Sequence, residues 1–222
     1  MSQNLAEKRH ALQTLKLLSN GGKIKAKVYI TRVDGKKYVV KDFSATPFYF
    51  RFLARAIVNH EIKVLTLLSF SRQVPQCYGK ITPYIFAIEY IPGEHFPLKN
   101  REETDLLYQN ALQFVKEMHA KGIIHNDLNY RNLIAHPERG LVVIDFASSI
   151  ITGRWIKYLR AIVCINWLFE QLEKADIFHL VNYKSQLTTT PHTQDEMDIL
   201  RKGRPFKLLT QIWKKIFRRK SQ

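Results

Sequence analysis

The stretch His125-Asn126-Asp127-Leu128-Asn129-Tyr130-Arg131-Asn132, followed by Val142-Val143-Ile144-Asp145-Phe146, decides how this chain folds. It sets a carboxylate and an amide five residues apart, then a second carboxylate at the end of an apolar run. The step from Asp127 to Asn132 lets one loop present both polar side chains to a single cavity, with Leu128 and Leu133 anchoring the loop beneath. Between Leu133 and Ile144, turn residues at Pro137 to Gly140 predict a short β-hairpin that returns Asp145 beside the first loop.

Working outward, the residue types suit one chemistry. Moving the γ-phosphoryl group of ATP to a hydroxyl needs a carboxylate that orients and deprotonates the acceptor. It also needs an Asn and a second Asp to hold the Mg²⁺ ions that neutralise the phosphates. Asp127, Asn132 and Asp145 fit those roles in order. The protein-kinase pattern is H-R-D-L-x-x-x-N followed by D-F-G, and the chain resembles that superfamily at both places, with Asn126 for the Arg and Ala147 for the Gly. Upstream, Tyr38-Val39-Val40-Lys41 stands where the kinase V-A-I-K strand stands, so the resemblance implies that Lys41 reaches the α- and β-phosphates and pairs with a helix Glu, Glu61. Ile88-Glu89-Tyr90-Ile91-Pro92-Gly93 resembles a kinase hinge, which implies that the carbonyl near Glu89 and the amide of Ile91 hold the adenine edge. Ser19-Asn20-Gly21-Gly22-Lys23 sits where a phosphate-covering loop belongs but lacks G-x-G-x-x-G, and a plain turn accounts for it equally well.

The H-x-D-L-N-x-x-N form, Ala at the D-F-G glycine and the compact second half are most similar to small bacterial lipopolysaccharide core kinases and to the RIO-type atypical kinases, over roughly residues 19–190. That resemblance implies an α+β, protein-kinase-like bilobal fold, with a small antiparallel N-lobe sheet, one main N-lobe helix and a mostly α-helical C-lobe. The order of elements agrees. Leu5, Leu12, Leu15 and Leu18 suggest a short amphipathic helix over Leu5–Leu18, stopped by Asn20-Gly21-Gly22. Lys27–Val33 and Lys36–Phe43 about Asp34-Gly35 predict a hairpin. Apolar residues at near-helical intervals predict helix from Phe48 to Ser69, and two further strands fall at Cys77–Ile81 and Tyr84–Ile91. Glu102–Lys121 reads as a helix burying Leu106, Leu107, Ala111, Phe114, Val115 and Met118, with Gly122 as its stop. Helices are predicted at Trp155–Leu172, Asp176–Leu187 and Gln194–Lys202. These divide the chain into an N-terminal helix (1–18), an N-lobe (19–93), a C-lobe (94–200) and a basic tail (201–222).

Lys and Arg number 35 against 19 Asp and Glu, a net charge of +16 that favours anionic partners. Residues 201–222 hold nine of the cations and no acid. Over 204–220, Phe206, Leu208, Leu209, Ile212, Trp213, Ile216 and Phe217 share one helical face opposite Lys and Arg. That is the pattern of a helix lying on an anionic membrane surface, and also of a helix packed on the C-lobe or of a nucleic-acid contact. Cys77 and Cys164 form no C-x-x-C pair, and Glu7, Lys8 and Arg9 interrupt the first apolar residues, so a cytoplasmic protein without disulfides or export signal is expected. No run approaches the roughly 20 apolar residues of a membrane span. No A-P-E motif follows Asp145, so the usual peptide-docking platform is missing, which favours a sugar hydroxyl on a lipopolysaccharide core as acceptor. A protein Ser/Thr acceptor of the RIO type is the alternative, and so is a pseudokinase or RNA-associated binding module.

Overall fold

The computed structural model describes residues 14–95, 102–152, 163–188 and 190–202. They form two compact units, one running up to Ile91 and the other from Pro92 onward. The tail over 204–220, residues 5–13 of the expected N-terminal helix and the first residues, 155–162, of the helix expected at Trp155–Leu172 lie outside the described residues.

The first unit is a five-stranded antiparallel sheet with one helix. Its strands are β1 (Thr14–Ser19), β2 (Lys27–Val33), β3 (Lys36–Asp42), β4 (Cys77–Thr82) and β5 (Ile85–Glu89), in the order β1-β2-β3-β5-β4. Asp34 and Gly35 both take positive φ, 49° and 77°, the left-handed pair a two-residue hairpin turn requires, and the β2–β3 register runs unbroken from Val33↔Lys36 to Lys27↔Asp42. Tyr29, Val40 and Ala87 are in register across the sheet and join Val33, Tyr38, Tyr78 and Ile85 in one core cluster. Alternation therefore puts Lys41 and its neighbours Val28 and Phe86 on the opposite face. After a 3-10 turn at Phe48–Phe50, helix α1 (Arg51–Leu67) buries Ala54, Val58, Glu61, Val64 and Leu65, a stripe at helical spacing that includes one carboxylate.

Residues 14–19 correct the sequence expectation: they are an edge strand, all six exposed, where the end of an amphipathic helix was expected. The three-residue spacing of Leu12, Leu15 and Leu18 is helical, but the backbone ladder to β2 overrides it. The glycines that follow close a tight β1–β2 connection on themselves, with Gly22 N donating to Lys25 O (3.1 Å), Lys25 N to Gly22 O (3.3 Å) and Gly21 N to Ser19 Oγ (3.3 Å).

The second unit contains β6 (Glu94–His95), helix α2 (Glu102–Ala120), β7 (Ile123–Ile124), β8 (Leu133–His136), β9 (Gly140–Val143), β10 (Ile150–Ile151), α3 (Val163–Leu187) and α4 (Gln194–Lys202). The predicted hairpin is β8–β9, joined at its other edge by β6. Gly93 admits that third strand, since a Cβ there would stand 2.2 Å from Ala135 O. α2 buries Ala111, Phe114, Val115 and Met118 of the expected stripe, but Leu106 is 67% exposed and Tyr108 is buried at the start of the stripe. A single helix, α3, replaces the expected pair broken before Asp176. Asp176 had the look of a helix start, but it lies mid-helix in a buried stripe with Leu172, Ala175 and Phe178.

Where α3 meets α4, charge is buried and paired. Thr193 and Glu196 form a capping box, with Thr193 N donating to Glu196 Oε2 (2.8 Å) and Glu196 N to Thr193 Oγ1 (3.3 Å). Lys184 Nζ donates to Glu196 Oε2 (2.6 Å) and Pro191 O (3.1 Å), and Tyr108 OH donates to Glu196 Oε1 (2.7 Å). Burial raises the Glu196 carboxyl, but Lys184, the Thr193 amide and Tyr108 outweigh it and bring the group from 4.5 down to about 2. A carboxyl depressed on folding stabilises above its unfolded value and loses that contribution as pH falls through its folded value. Acid titration of the fold should thus show a loss of stability between about pH 4.5 and about 2 that is smaller in Glu196→Gln, measured by urea unfolding at each pH.

Candidate active site

In the first unit, β3 and α1 bring Lys41 and Glu61 together. Lys41 Nζ donates to Glu61 Oε1 across the sheet–helix interface, with Lys41 7% and Glu61 1% exposed. Taking both charges out of water costs several kcal/mol apiece unless they are paired. A lone Lys in a buried sheet position would be poorly tolerated; this one is held extended by the partner the sequence predicted. Glu89 ends β5, its N–H donating to Gln76 O (2.8 Å) and its Oε2 accepting from Gln76 N (3.1 Å). Its side chain thus secures the strand end, and Ile91, two residues on, lies beyond the ladder and is buried.

In the second unit, the loops bearing Asp127, Asn132 and Asp145 are tied to each other. Asn129 is the hub of the first loop: its Nδ2 donates to Asp127 Oδ1 (3.2 Å) and Asp127 O (3.1 Å), while its Oδ1 accepts from Arg131 N (2.9 Å) and starts the 3-10 turn Tyr130–Asn132. Asn132 Nδ2 donates to Asp127 O (2.8 Å), which leaves the Asn132 amide oxygen as the atom suited to a cation. Ile144 N donates to Asn132 O (2.9 Å) and Asn126 Nδ2 to Ser148 O (3.3 Å), stitching the second loop to the first. His125 is fully buried. Its Nδ1 accepts from Asp127 N (3.3 Å), which puts the ring proton on Nε2, where it is donated to Ile144 O (3.1 Å). His125 is therefore a brace between the two loops.

Asn126 and Asp145 hold φ of 61° and 63°, left-handed values that cost energy for side-chain-bearing residues and collect at functional sites. Asn132 and Asp145 offer oxygen donors only. Among the described residues no group of three His, Cys, Asp or Glu could hold a metal ion. Two oxygen ligands with the remainder supplied by phosphates and water is the donor set of Mg²⁺ brought by a nucleotide, so the residues fit that cation.

Asp176 and Tyr183, both on α3 and seven residues apart, escaped the sequence reading. Asp176, 1% exposed, accepts from His125 N (2.7 Å), Asn126 N (2.9 Å) and the His119 ring (3.1 Å), which fixes the left-handed turn that aims Asp127. An Asp inside an apolar helical run is the available signal, although the sequence expectation placed it at the start of a helix. Tyr183 packs edge-on against Tyr130 at 5.7 Å. Burial raises its phenol, and Tyr130 and the Asp127 carboxylate push the same way. Replacing Asp176 by Ala leaves two buried amides unsatisfied, so we expect about 2–3 kcal/mol of lost stability and a fall in turnover larger than that in nucleotide affinity, read by urea unfolding and steady-state kinetics.

These features define the α+β fold of the protein-kinase superfamily. Two solved structures of Rio2 kinase from Chaetomium thermophilum share it, each at a TM-score of 0.61: an ADP/Mg²⁺-phosphoaspartate complex, 13% identical over 89% of this chain and 65% of that one, and a second structure of the kinase, 14% identical over 88% and 66%. The chain thus spans slightly less than two thirds of the length of those kinases. Residues 19–179 match the RIO domain, and the chain belongs to that family.

Proposed function

We propose that this chain is an atypical, RIO-type kinase that transfers the γ-phosphoryl group of ATP to a protein serine or threonine hydroxyl. The observation that carries the reading is Asp127, whose carboxylate is held by Asn129 in a loop locked to Asn132 and to the strand end bearing Asp145. In this reading Asp127 accepts the acceptor's proton, Lys41 holds the nucleotide phosphates with Glu61 as its positioning partner, and the Glu89 carbonyl and Ile91 amide take the adenine edge. Mg²⁺, held by Asn132 and Asp145, would neutralise charge on the phosphates. Ordinary Ser/Thr kinases have Lys two residues after the catalytic Asp; here Asn129 occupies that place, and its role is to set the Asp127 rotamer.

The family match favours the RIO alternative over a lipopolysaccharide core sugar, for which there is no comparable support. The membrane and nucleic-acid readings of the tail rest on its sequence pattern alone. No helix among the described residues is long and apolar enough to cross a membrane. The test is incubation of the purified chain with γ-labelled ATP and Mg²⁺ and a protein substrate. Label on serine or threonine survives neutral hydroxylamine, whereas an acyl phosphate is released by it. No transfer and no ATP consumption would remove the enzyme reading.

A further inference from the structure

The start of α1 is built against the rules of a soluble helix. Phe48 is 81%, Tyr49 62% and Phe52 85% exposed, with Leu53 at 40% beside them. The aromatic rings are contiguous, Phe48 meeting Tyr49 at 5.3 Å and Tyr49 meeting Phe50 at 4.7 Å, both edge-on. Phe50, at the capping position, has no polar side chain with which to cap the helix, and its first turn contains Arg51 and no acid, the wrong sign for the helix dipole. Arg55 is exposed one turn further on, and the Arg51 guanidinium lies 5.7 Å over the Tyr84 ring at the rim of the cluster. In water each of these choices is unfavourable, and local rules broken together mark a functional surface.

We propose that Phe48, Tyr49 and Phe52, flanked by Arg51 and Arg55, are a docking surface for an anionic lipid bilayer. Two phenylalanines more than four-fifths exposed project beyond their neighbours, as insertion at headgroup depth requires; a pocket for a peptide would surround them. Aromatic residues are enriched at the membrane interface, and arginines beside them match the negative charge of acidic lipids. The net charge of +16 has the same sign. Independently, the sequence over 204–220 also sets aromatic residues, Phe206, Trp213 and Phe217, among Lys and Arg. This surface belongs to the sheet-and-helix unit and does not rest on the kinase reading.

The experiment is co-sedimentation of the full chain with phosphatidylcholine vesicles, with and without phosphatidylglycerol. The wild type should bind the anionic vesicles and not the neutral ones. Phe48→Ser/Phe52→Ser and, separately, Arg51→Glu/Arg55→Glu should each weaken binding at least tenfold. Because these side chains are exposed, neither variant should unfold at a lower temperature than the wild type. Vesicle binding by Phe48→Ser/Phe52→Ser equal to wild type would overturn the proposal. So would a wild-type dimer that this variant turns into a monomer, or a loss of single-stranded RNA affinity with vesicle binding intact.

Discussion

Asp127→Ala should lower turnover by about 10²–10⁴-fold, the usual contribution of a positioned acid or base, while Mg²⁺-ADP affinity stays near the wild-type value. The split follows from the contacts of the loop. The side chain lost is the one Asn129 orients, whereas the backbone carbonyl that receives Asn129 and Asn132 stays in place, so the Asn132 amide proposed to hold the cation keeps its support. Calorimetric titration with ADP and a labelled-ATP transfer assay measure the two quantities. Equal turnover by wild type and variant would show that Asp127 is not the base.

Lys41→Met should destabilise the sheet-and-helix unit by about 3–5 kcal/mol, because the buried Glu61 would lose the ammonium it is paired with. Glu61→Met takes the carboxylate from the buried ammonium in the same way. Lys41→Met/Glu61→Met replaces both charges with apolar groups of similar length on an interface already lined by Val58, Val64 and Leu65, and should recover most of the lost stability. It should not recover nucleotide binding. Denaturant unfolding paired with nucleotide titration therefore distinguishes a lysine that serves the phosphates from an ion pair that only staples α1 to β3: in the second case the double variant would bind ATP as well as wild type.

The two motif loops, the Asp34-Gly35 hairpin and helices α1 and α2 were legible because each depends on local spacing or on a turn with one chemical solution. Glu61 was legible through the kinase resemblance, which implies a helix Glu as the partner of the Lys41 strand. What sequence periodicity could not resolve were choices made by distant partners. Thr14–Ser19 extend because β2 offers a ladder, although the leucine spacing is helical. Asp176 resembles a cap until one knows that two amides about fifty residues earlier need an acceptor. Leu106 looks like core, yet Tyr108 takes that place because its hydroxyl has Glu196 to satisfy it. In each case the deciding group lies outside the window in which a period can be read.

The grip of Asp176 on the amides of His125 and Asn126 also sets an order of events during synthesis. The chain leaves the ribosome from its amino end, so the Asp127 loop emerges about fifty residues before the carboxylate that shapes it. Until α3 is made and docked, the loop lacks the Asp176 acceptor for those amides that accompanies the left-handed turn at Asn126. A nascent chain therefore shapes this loop late, and under the proposed function a truncation product ending ahead of α3 would transfer no phosphate even if the sheet-and-helix unit had already formed.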